Sequence, residues 1–116
     1  MTVRSIIHPM PPTATLIRQN IASGDVVVLR HAATQLARRG IAVDDVLAGA
    51  AAGAVIEDYP HDEAGPAVLM LQRDAGGRPL HVIWRIAAAT AGPVLLVTAY
   101  RPEPAQWNED FRVRKR

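Results

Sequence analysis

A glycine turn that leads into a strictly alternating strand constrains the fold of this chain more than any other stretch. Residues 76–86 read Gly-Gly-Arg-Pro-Leu-His-Val-Ile-Trp-Arg-Ile. Successive side chains along a strand point to opposite faces of a sheet. Every second residue therefore belongs to one apolar face, which comprises Leu80, Val82, Trp84 and Ile86. The other face carries His81 in mid-strand and Arg85 further along. We predict a strand inside an antiparallel sheet, with His81 as the first candidate for a functional side chain.

Apolar residues recur at helical spacing before residue 54 and at alternating positions after it. This change of pattern indicates an α+β chain. Helices are predicted over residues 13–22, 31–39 and 43–52. Strands are predicted over residues 54–59, 67–73, 78–87 and 93–101. The valine run at 26–29 is either a further strand or an extended entry to the second helix. The order of elements predicts two or three N-terminal helices packed on a four-stranded antiparallel sheet.

The predicted strands can be paired by closing the short turns between them. With 116 residues the chain forms a single compact domain, in which residues 1–30 are an N-terminal extension with a short helix and residues 31–116 the main domain. Closing the first turn places Leu71 opposite Leu80 and Leu69 opposite Val82. Closing the second hairpin gives the pairs His81–Tyr100, Ile83–Thr98, Trp84–Val97 and Ile86–Leu95. The helices are expected to cover the apolar face, which leaves His81 and Tyr100 together on the other.

Composition narrows the classes of function. The chain has no cysteine, which excludes disulfides and thiolate metal ligands and fits a cytoplasmic location. No apolar run approaches the roughly 18 residues that a membrane helix needs, so no membrane partner is expected. The histidines lie at no recognised metal spacing, and the glycine pair precedes a strand rather than a helix. We therefore expect neither a metal nor a cofactor.

Several side chains suit cleavage of RNA without a metal. Such cleavage needs a base for the ribose 2′-hydroxyl, an acid for the leaving 5′-oxygen, and cations that offset charge on the phosphorane. His31 and His81 are candidates for acid and base, with Tyr100 assisting. The candidate cations are Arg39, Arg85, Arg101, Arg112, Arg114 and Lys115. The alternative is structural: His31 starts a helix, His81 is a strand histidine with its hydrogen bonds satisfied, Tyr100 is half-buried, and the basic terminus is solvated.

The sequence also resembles a known family. The resemblance rests on His31-Ala32, Arg39-Gly40-Ile41, Asp44-Asp45-Val46, Glu57-Asp58-Tyr59-Pro60, Gly77-Arg78-Pro79-Leu80-His81-Val82, Thr98-Ala99-Tyr100, and Trp107 with Phe111-Arg112 and Arg114. These segments are similar to the bacterial domain-of-unknown-function family four-two-five-eight (DUF4258). The resemblance implies a RelE-like ribonuclease toxin fold, often encoded beside a YgiT-type zinc-finger antitoxin. It implies His31, Arg39, His81 and Tyr100 as site residues.

Three positions depart from the family pattern. Gln35 stands where the family helix usually has arginine, and Leu29 and Ala42 stand where small polar helix caps are usual. A missing cap costs about 1 kcal/mol, whereas loss of a cation beside the phosphorane can lower the rate about a hundredfold. The hypothesis is a toxin that cleaves RNA, including ribosome-bound mRNA, and binds a cognate antitoxin. Its catalytic residues are His31, His81 and Tyr100, and its substrate-binding residues are Gln35, Arg39, Arg85, Arg112, Arg114 and Lys115. The alternative is a weak or inactive member that binds protein or RNA.

Overall fold

The computed structural model describes residues 13–87 and 92–115. The helices are α1 (Thr13–Ala22), α2 (Arg30–Arg39) and α3 (Val43–Gly49). The strands are β1 (Val26–Val28), β2 (Ala54–Tyr59), β3 (Ala67–Arg73), β4 (Pro79–Ile86) and β5 (Val94–Tyr100). The α+β prediction is confirmed. None of the helices in these two ranges is both long and apolar enough to cross a bilayer.

The helix ends follow from local chemistry. α2 ends at Gly40, whose φ of 67° is the left-handed conformation that glycine adopts without strain. Leu29 and Ala42 are the N-caps of α2 and α3, and neither makes a side-chain capping bond. α3 ends three residues earlier than predicted. The Ala50 N–H bonds to the Leu47 carbonyl, and the Val46 carbonyl instead accepts a bond from the Gln72 side chain, so the helical ladder stops there.

The sheet has five strands in the order β1-β5-β4-β3-β2. The prediction of four antiparallel strands is therefore wrong, because β1 adds a fifth strand that runs parallel to β5. Its three valines pair with Val94, Leu95 and Leu96, and the Val94 N–H donates to the Asp25 carbonyl at 3.0 Å. Pairing with β5 gives β1 these backbone contacts, and it leaves Val26 and Val28 half-buried. The sheet is mixed.

The β3–β4 hairpin differs from the predicted register by one residue. Leu80 lies opposite Gln72, and Val82 lies opposite Met70. The turn is one residue longer than assumed, because Gly77 adopts a φ of 81° while the Asp74 N–H reaches the Arg78 carbonyl. This is a type I turn followed by a left-handed glycine. Leu69 and Leu71 consequently share a face with His81 rather than with Leu80.

The β4–β5 hairpin follows the prediction only in its first half. The pairs His81–Tyr100 and Ile83–Thr98 are confirmed. A bulge then shifts the register, so that Trp84 lies opposite Leu96 rather than Val97, and Ile86 opposite Val94 rather than Leu95. The extra residue is Val97, and a bulge of this kind bends the strand locally. The bend turns Leu96 and Val94 into the core.

The helices and a C-terminal arm cover opposite faces of the sheet. The helix-side core contains the apolar face of β4 as predicted, and Leu80, Val82 and Trp84 are completely buried there. On the other face lies the C-terminal arm, defined as residues 102–115. The arm folds back on itself through a bridge between Trp107 and Arg114. Trp107 is only 2% exposed, so the arm is packed onto the strand face that carries His81.

Candidate functional site

His81 lies at the centre of the arm-covered face, bonded at both ring nitrogens. Its Nε2 is 2.8 Å from the Phe111 carbonyl oxygen, and its Nδ1 is 3.3 Å from the Tyr100 hydroxyl. A carbonyl can only accept, so Nε2 carries the proton and Nδ1 accepts from the tyrosine O–H. Phe111 presents its carbonyl from a left-handed backbone with φ 61°, which is uncommon for a residue with a side chain.

The environment of His81 favours the neutral ring. The residue is 0% exposed, and its ring meets those of Tyr100 and Trp107 edge-on, with the Trp107 centroid 4.3 Å away. Burial lowers the pKa of His81, although the bond to the Phe111 carbonyl opposes this effect. With both nitrogens occupied and no exposed surface, the ring orients Tyr100 and anchors the arm.

Arg114 is held by a carboxylate clasp, which consists of Glu57, Tyr59 and Arg114. Arg114 Nε and Nη2 donate to the two Glu57 oxygens at 2.8 and 3.1 Å. The Tyr59 hydroxyl donates to the same carboxylate. The bond from Arg114 lowers the pKa of Glu57, and Glu57 raises the pKa of Arg114 and of Tyr59. The guanidinium also lies 4.6 Å from the Trp107 ring centroid, so it fastens the arm to β2.

An open pocket beside Tyr100 is lined by further charged side chains. This arginine–tyrosine pocket has a volume of about 470 Å³ and is lined by Arg39, Tyr100, Arg101, Glu103 and Gln106. It lies where β5 leaves the sheet and the arm begins. Two guanidinium groups, a phenol, a carboxylate and an amide therefore face one cavity, which is a donor-rich setting for an anion.

Both arginines of the pocket are held by partners that do not line it. Arg39 Nη1 donates to the Ala99 carbonyl at 2.8 Å and to the Thr98 hydroxyl at 3.2 Å. Arg101 Nη2 pairs with Asp74 at 3.0 Å, and the pKa of Asp74 is lowered by the Arg78 backbone N–H and by Arg101. Arg101 Nη1 is buried and has no hydrogen-bond partner within the described ranges. Such a group is costly to leave unpaired.

A chain of hydrogen bonds connects the pocket with His31. Arg39 donates to the Thr98 hydroxyl, which donates to Gln35 Oε1 at 3.1 Å, and Gln35 Nε2 lies 2.9 Å from His31 Nε2. The bonds run in one direction, so His31 Nε2 is an acceptor. His31 is exposed and stands one helical turn before Gln35, outside the pocket lining.

The remaining predicted cations lie elsewhere. Arg85 is four residues beyond His81 on β4, about 13 Å away along a strand, and it pairs with Asp62 at 3.5 Å. Arg112 is exposed and 3.8 Å from Asp110, and it borders a different pocket. Lys115 is exposed. The structure thus brings Arg39 to Tyr100, ties Arg114 to a carboxylate, and leaves Arg85, Arg112 and Lys115 apart.

Sequence reasoning missed several partners. Glu57 and Tyr59 stand two apart on one strand, which places both side chains on one face, but this spacing alone did not identify a clasp. The Phe111 carbonyl carries no sequence signal. Glu103 and Gln106 lie a few residues after Tyr100 and Arg101, and their position after a strand end was the available indication. Within the described ranges, no group of three or more His, Asp or Glu side chains could hold a metal ion.

Comparison with known proteins assigns the family. Neither the curated proteins nor the solved structures gave a match to this sequence. A family model described as "Domain of unknown function (DUF4258)" matches residues 28–101, which is well over half of the chain. The match begins at the end of β1, ends at Arg101, and includes His31, Gln35, Arg39, His81 and Tyr100. The chain therefore belongs to the DUF4258 family.

Proposed function

We propose that this chain is a RelE-like toxin of a type II toxin–antitoxin system, a metal-independent endoribonuclease acting at the arginine–tyrosine pocket. The observation that carries the proposal is the convergence of Arg39, Arg101 and Tyr100 on one open cavity. The order of α2 and α3 followed by the antiparallel strands β2 to β5 is consistent with the toxin fold implied by the family resemblance. RNA, including ribosome-bound mRNA, is the proposed substrate, and a cognate antitoxin is the proposed partner.

The pocket supplies the groups that cleavage of a phosphodiester requires. The Glu103 carboxylate takes the proton from the ribose 2′-hydroxyl, and the 2′-oxygen attacks phosphorus. The Tyr100 O–H turns from His81 Nδ1 to the substrate, and the 5′-oxygen leaves with its proton, giving a 2′,3′-cyclic phosphate and a 5′-hydroxyl end. Burial raises the pKa of Tyr100, so the phenol keeps its proton at neutral pH and serves as the acid. Exposed His31 is a second candidate for the base.

Arg39 and Arg101 offset the charge that develops on the phosphorane. Both are held at a fixed position by a backbone carbonyl or a carboxylate, and preorganised cations stabilise a transition state without reorganisation. Gln35 lacks the charge usual in the family, and Arg101 is the second cation in its place. His81 acts here by orienting Tyr100.

Cleavage of RNA by the purified chain in excess EDTA tests this proposal. We expect the wild type to cut, Arg39→Ala to lower the rate about a hundredfold, and Tyr100→Phe to lower it by a similar factor. Arg38→Ala is the matched control, because Arg38 is the exposed neighbour of Arg39 on α2 and does not line the pocket. Absence of cleavage by the wild type, or equal rates for Arg38→Ala and Arg39→Ala, would refute the catalytic assignment.

A non-catalytic module that binds RNA or protein is the second candidate. The enclosure of His81 favours it, because neither ring nitrogen is free to transfer a proton, and the clasp neutralises Arg114. Under this alternative, RNA binds the wild type without being cut. Fluorescence anisotropy would then show an affinity that Arg39→Ala weakens and Arg38→Ala leaves unchanged.

A further inference from the structure

We propose that Thr98 is a positioning residue of the arginine–tyrosine pocket, because its hydroxyl, held by Gln35, orients the guanidinium of Arg39. Arg39 lines the pocket and Thr98 does not, so Thr98 can act on a bound phosphate only through the arginine. The inference rests on the proposed function, since it concerns the cation assigned to the phosphorane. Its experiment is arranged so that the two proposals can fail separately.

The outer side of β5 is where Arg39 meets the sheet. β1 pairs with β5 only from Val94 to Leu96, and beyond that point α2 borders the strand. There Arg39 Nη1 donates to the Ala99 carbonyl at 2.8 Å. Ala99 is itself paired with Val82 on β4, so this acceptor is fixed by the sheet. A single hydrogen bond fixes one point of the guanidinium but leaves the group free to turn about that point.

The Thr98 hydroxyl supplies a second contact to the same nitrogen. Its Oγ1 accepts from Arg39 Nη1 at 3.2 Å. The N–H groups of a guanidinium lie in one plane at fixed angles, so two acceptors on neighbouring strand residues orient that plane. Arg39 Nε and Nη2 have no hydrogen-bond partner among residues 13–87 and 92–115. Their N–H groups are therefore left for a ligand in the pocket.

Gln35 sets the direction of the Thr98 hydroxyl. A threonine O–H turns about its C–O bond and can present either its hydrogen or a lone pair to a neighbour. Here it donates to Gln35 Oε1 at 3.1 Å, which leaves the lone pairs for Arg39. Gln35 Nε2 is 2.9 Å from His31 Nε2, and this contact keeps the amide from turning its N–H groups toward Thr98. All the bonds of the chain agree in direction.

The spacing along α2 confines this arrangement to one side of the helix. Gln35 stands one turn before Arg39, and His31 one turn before Gln35, so the three side chains follow one row. Thr98 is half-buried beside this row, where water competes less for its hydroxyl. Arg38 is exposed and lies about 100° away around the helix, so it provides a cation of the same type outside the row.

A double-mutant cycle on RNA cleavage in excess EDTA measures the coupling between Thr98 and Arg39. Thr98→Val keeps a branched side chain of similar shape but removes the hydroxyl. We expect kcat to fall about tenfold with little change in KM, because a misplaced cation loses most in the transition state. Thr98→Ser keeps the hydroxyl and should stay within about twofold of the wild type. In the Arg39→Ala background, Thr98→Val should lower the rate by less than about twofold, because the group that it positions is gone.

Two controls separate positioning from general effects on the fold. In the Arg38→Ala background, Thr98→Val should keep its full effect. Thr34→Val removes the hydroxyl of an exposed threonine on α2, which bonds only to the Arg30 carbonyl of its own helix, and it should leave the rate unchanged. Circular dichroism checks that each variant is folded.

The same cycle measured by binding keeps the two proposals apart. An RNA with methylated 2′-hydroxyls cannot be cut by attack of the 2′-oxygen, and fluorescence anisotropy gives its affinity. If the wild type binds this RNA but leaves ordinary RNA intact, the ribonuclease function fails, and the cycle in binding still decides the role of Thr98. Additive losses in the cycle, or a Thr98→Ser variant as impaired as Thr98→Val, would overturn the positioning role even if the wild type cuts. A wild type that neither binds nor cuts RNA would overturn both.

Discussion

Gln72 on β3 and His81 on β4 are polar residues that are almost fully buried, and each joins two parts of the chain. Gln72 accepts from the Trp84 indole N–H at 2.8 Å and donates to the Val46 carbonyl at 2.8 Å, tying α3 to the sheet. His81 does the same on the other face, between Tyr100 and the C-terminal arm. A buried polar group with all its bonds made adds specificity, whereas one left unpaired is costly.

Removing the His81 hydrogen bonds should therefore destabilise the fold. His81→Phe keeps an aromatic ring but leaves the Phe111 carbonyl and the Tyr100 hydroxyl without their partner, so we expect a loss of about 2 kcal/mol in unfolding free energy. Tyr100→Phe removes one longer bond, and we expect a loss of about 1 kcal/mol. Urea unfolding of the three proteins measures both losses. A smaller effect for His81→Phe than for Tyr100→Phe would contradict the anchoring role.

At the scale of helices and strands, the sequence predicted those bounds that local chemistry determines. The bounds of α1, β2 and β3 agree with the prediction. Gly40 ends α2 as predicted, because the residue that follows the helix adopts a left-handed φ, which glycine allows without strain. The place of β1 was not predictable, since three valines carry no signal of a parallel partner more than sixty residues away. The bulge at Val97 depends in the same way on packing against the rest of the core.

The contacts of the candidate site likewise include a local one that was predictable and a long-range one that was not. The His81–Tyr100 pair was predicted by counting along the one hairpin that joins the two strands, but the pairs nearer the turn are off by one, and the bulge at Val97 makes the count correct at His81. The Glu57–Arg114 contact was not, because it links an early strand to the chain end across 57 positions with no periodicity between them. The basic tail was expected to be free, and its Arg114 is instead paired.

At the level of the helix ends, the uncapped start of α3 should respond to a polar side chain. Ala42 is exposed, with φ −77° and ψ 129°, a conformation that suits an N-cap serine. Ala42→Ser should raise the unfolding free energy by about 1 kcal/mol, because its hydroxyl can accept from a free N–H of the first turn. Ala33→Ser is the control, since Ala33 is exposed within α2 and serine is slightly unfavourable there. Urea denaturation should separate the two variants, and equal effects would count against a capping defect.

Over the whole molecule, titration of buried and paired groups sets how stability changes with pH. The groups that face His81 are Tyr100 on β5, Glu57 on β2, and Arg114 with the Phe111 carbonyl on the arm. Burial holds the pKa of folded His81 below its ordinary value of 6.5. As pH falls below about 6.5, the unfolded chain takes up a proton that the folded chain refuses, so the unfolding free energy declines.

A second decline follows at lower pH. Folded Glu57 and Asp74 have pKa values below their ordinary 4.5 and 3.8. Their stabilising contribution is present above those ordinary values and is lost as the pH falls through the folded ones. We therefore expect two separate regions of acid sensitivity, the upper from His81 and the lower from the paired carboxylates.

Urea unfolding of the wild type, His81→Phe and His61→Gln between about pH 8 and about pH 2 separates these contributions. His81→Phe should abolish the decline that begins near pH 6.5 while keeping the lower one. His61 is exposed in the loop between β2 and β3, so His61→Gln should retain both. If the decline that begins near pH 6.5 persists in His81→Phe, another group causes it. That result would contradict the role of neutral His81, bonded at both ring nitrogens, in holding the arm on the sheet.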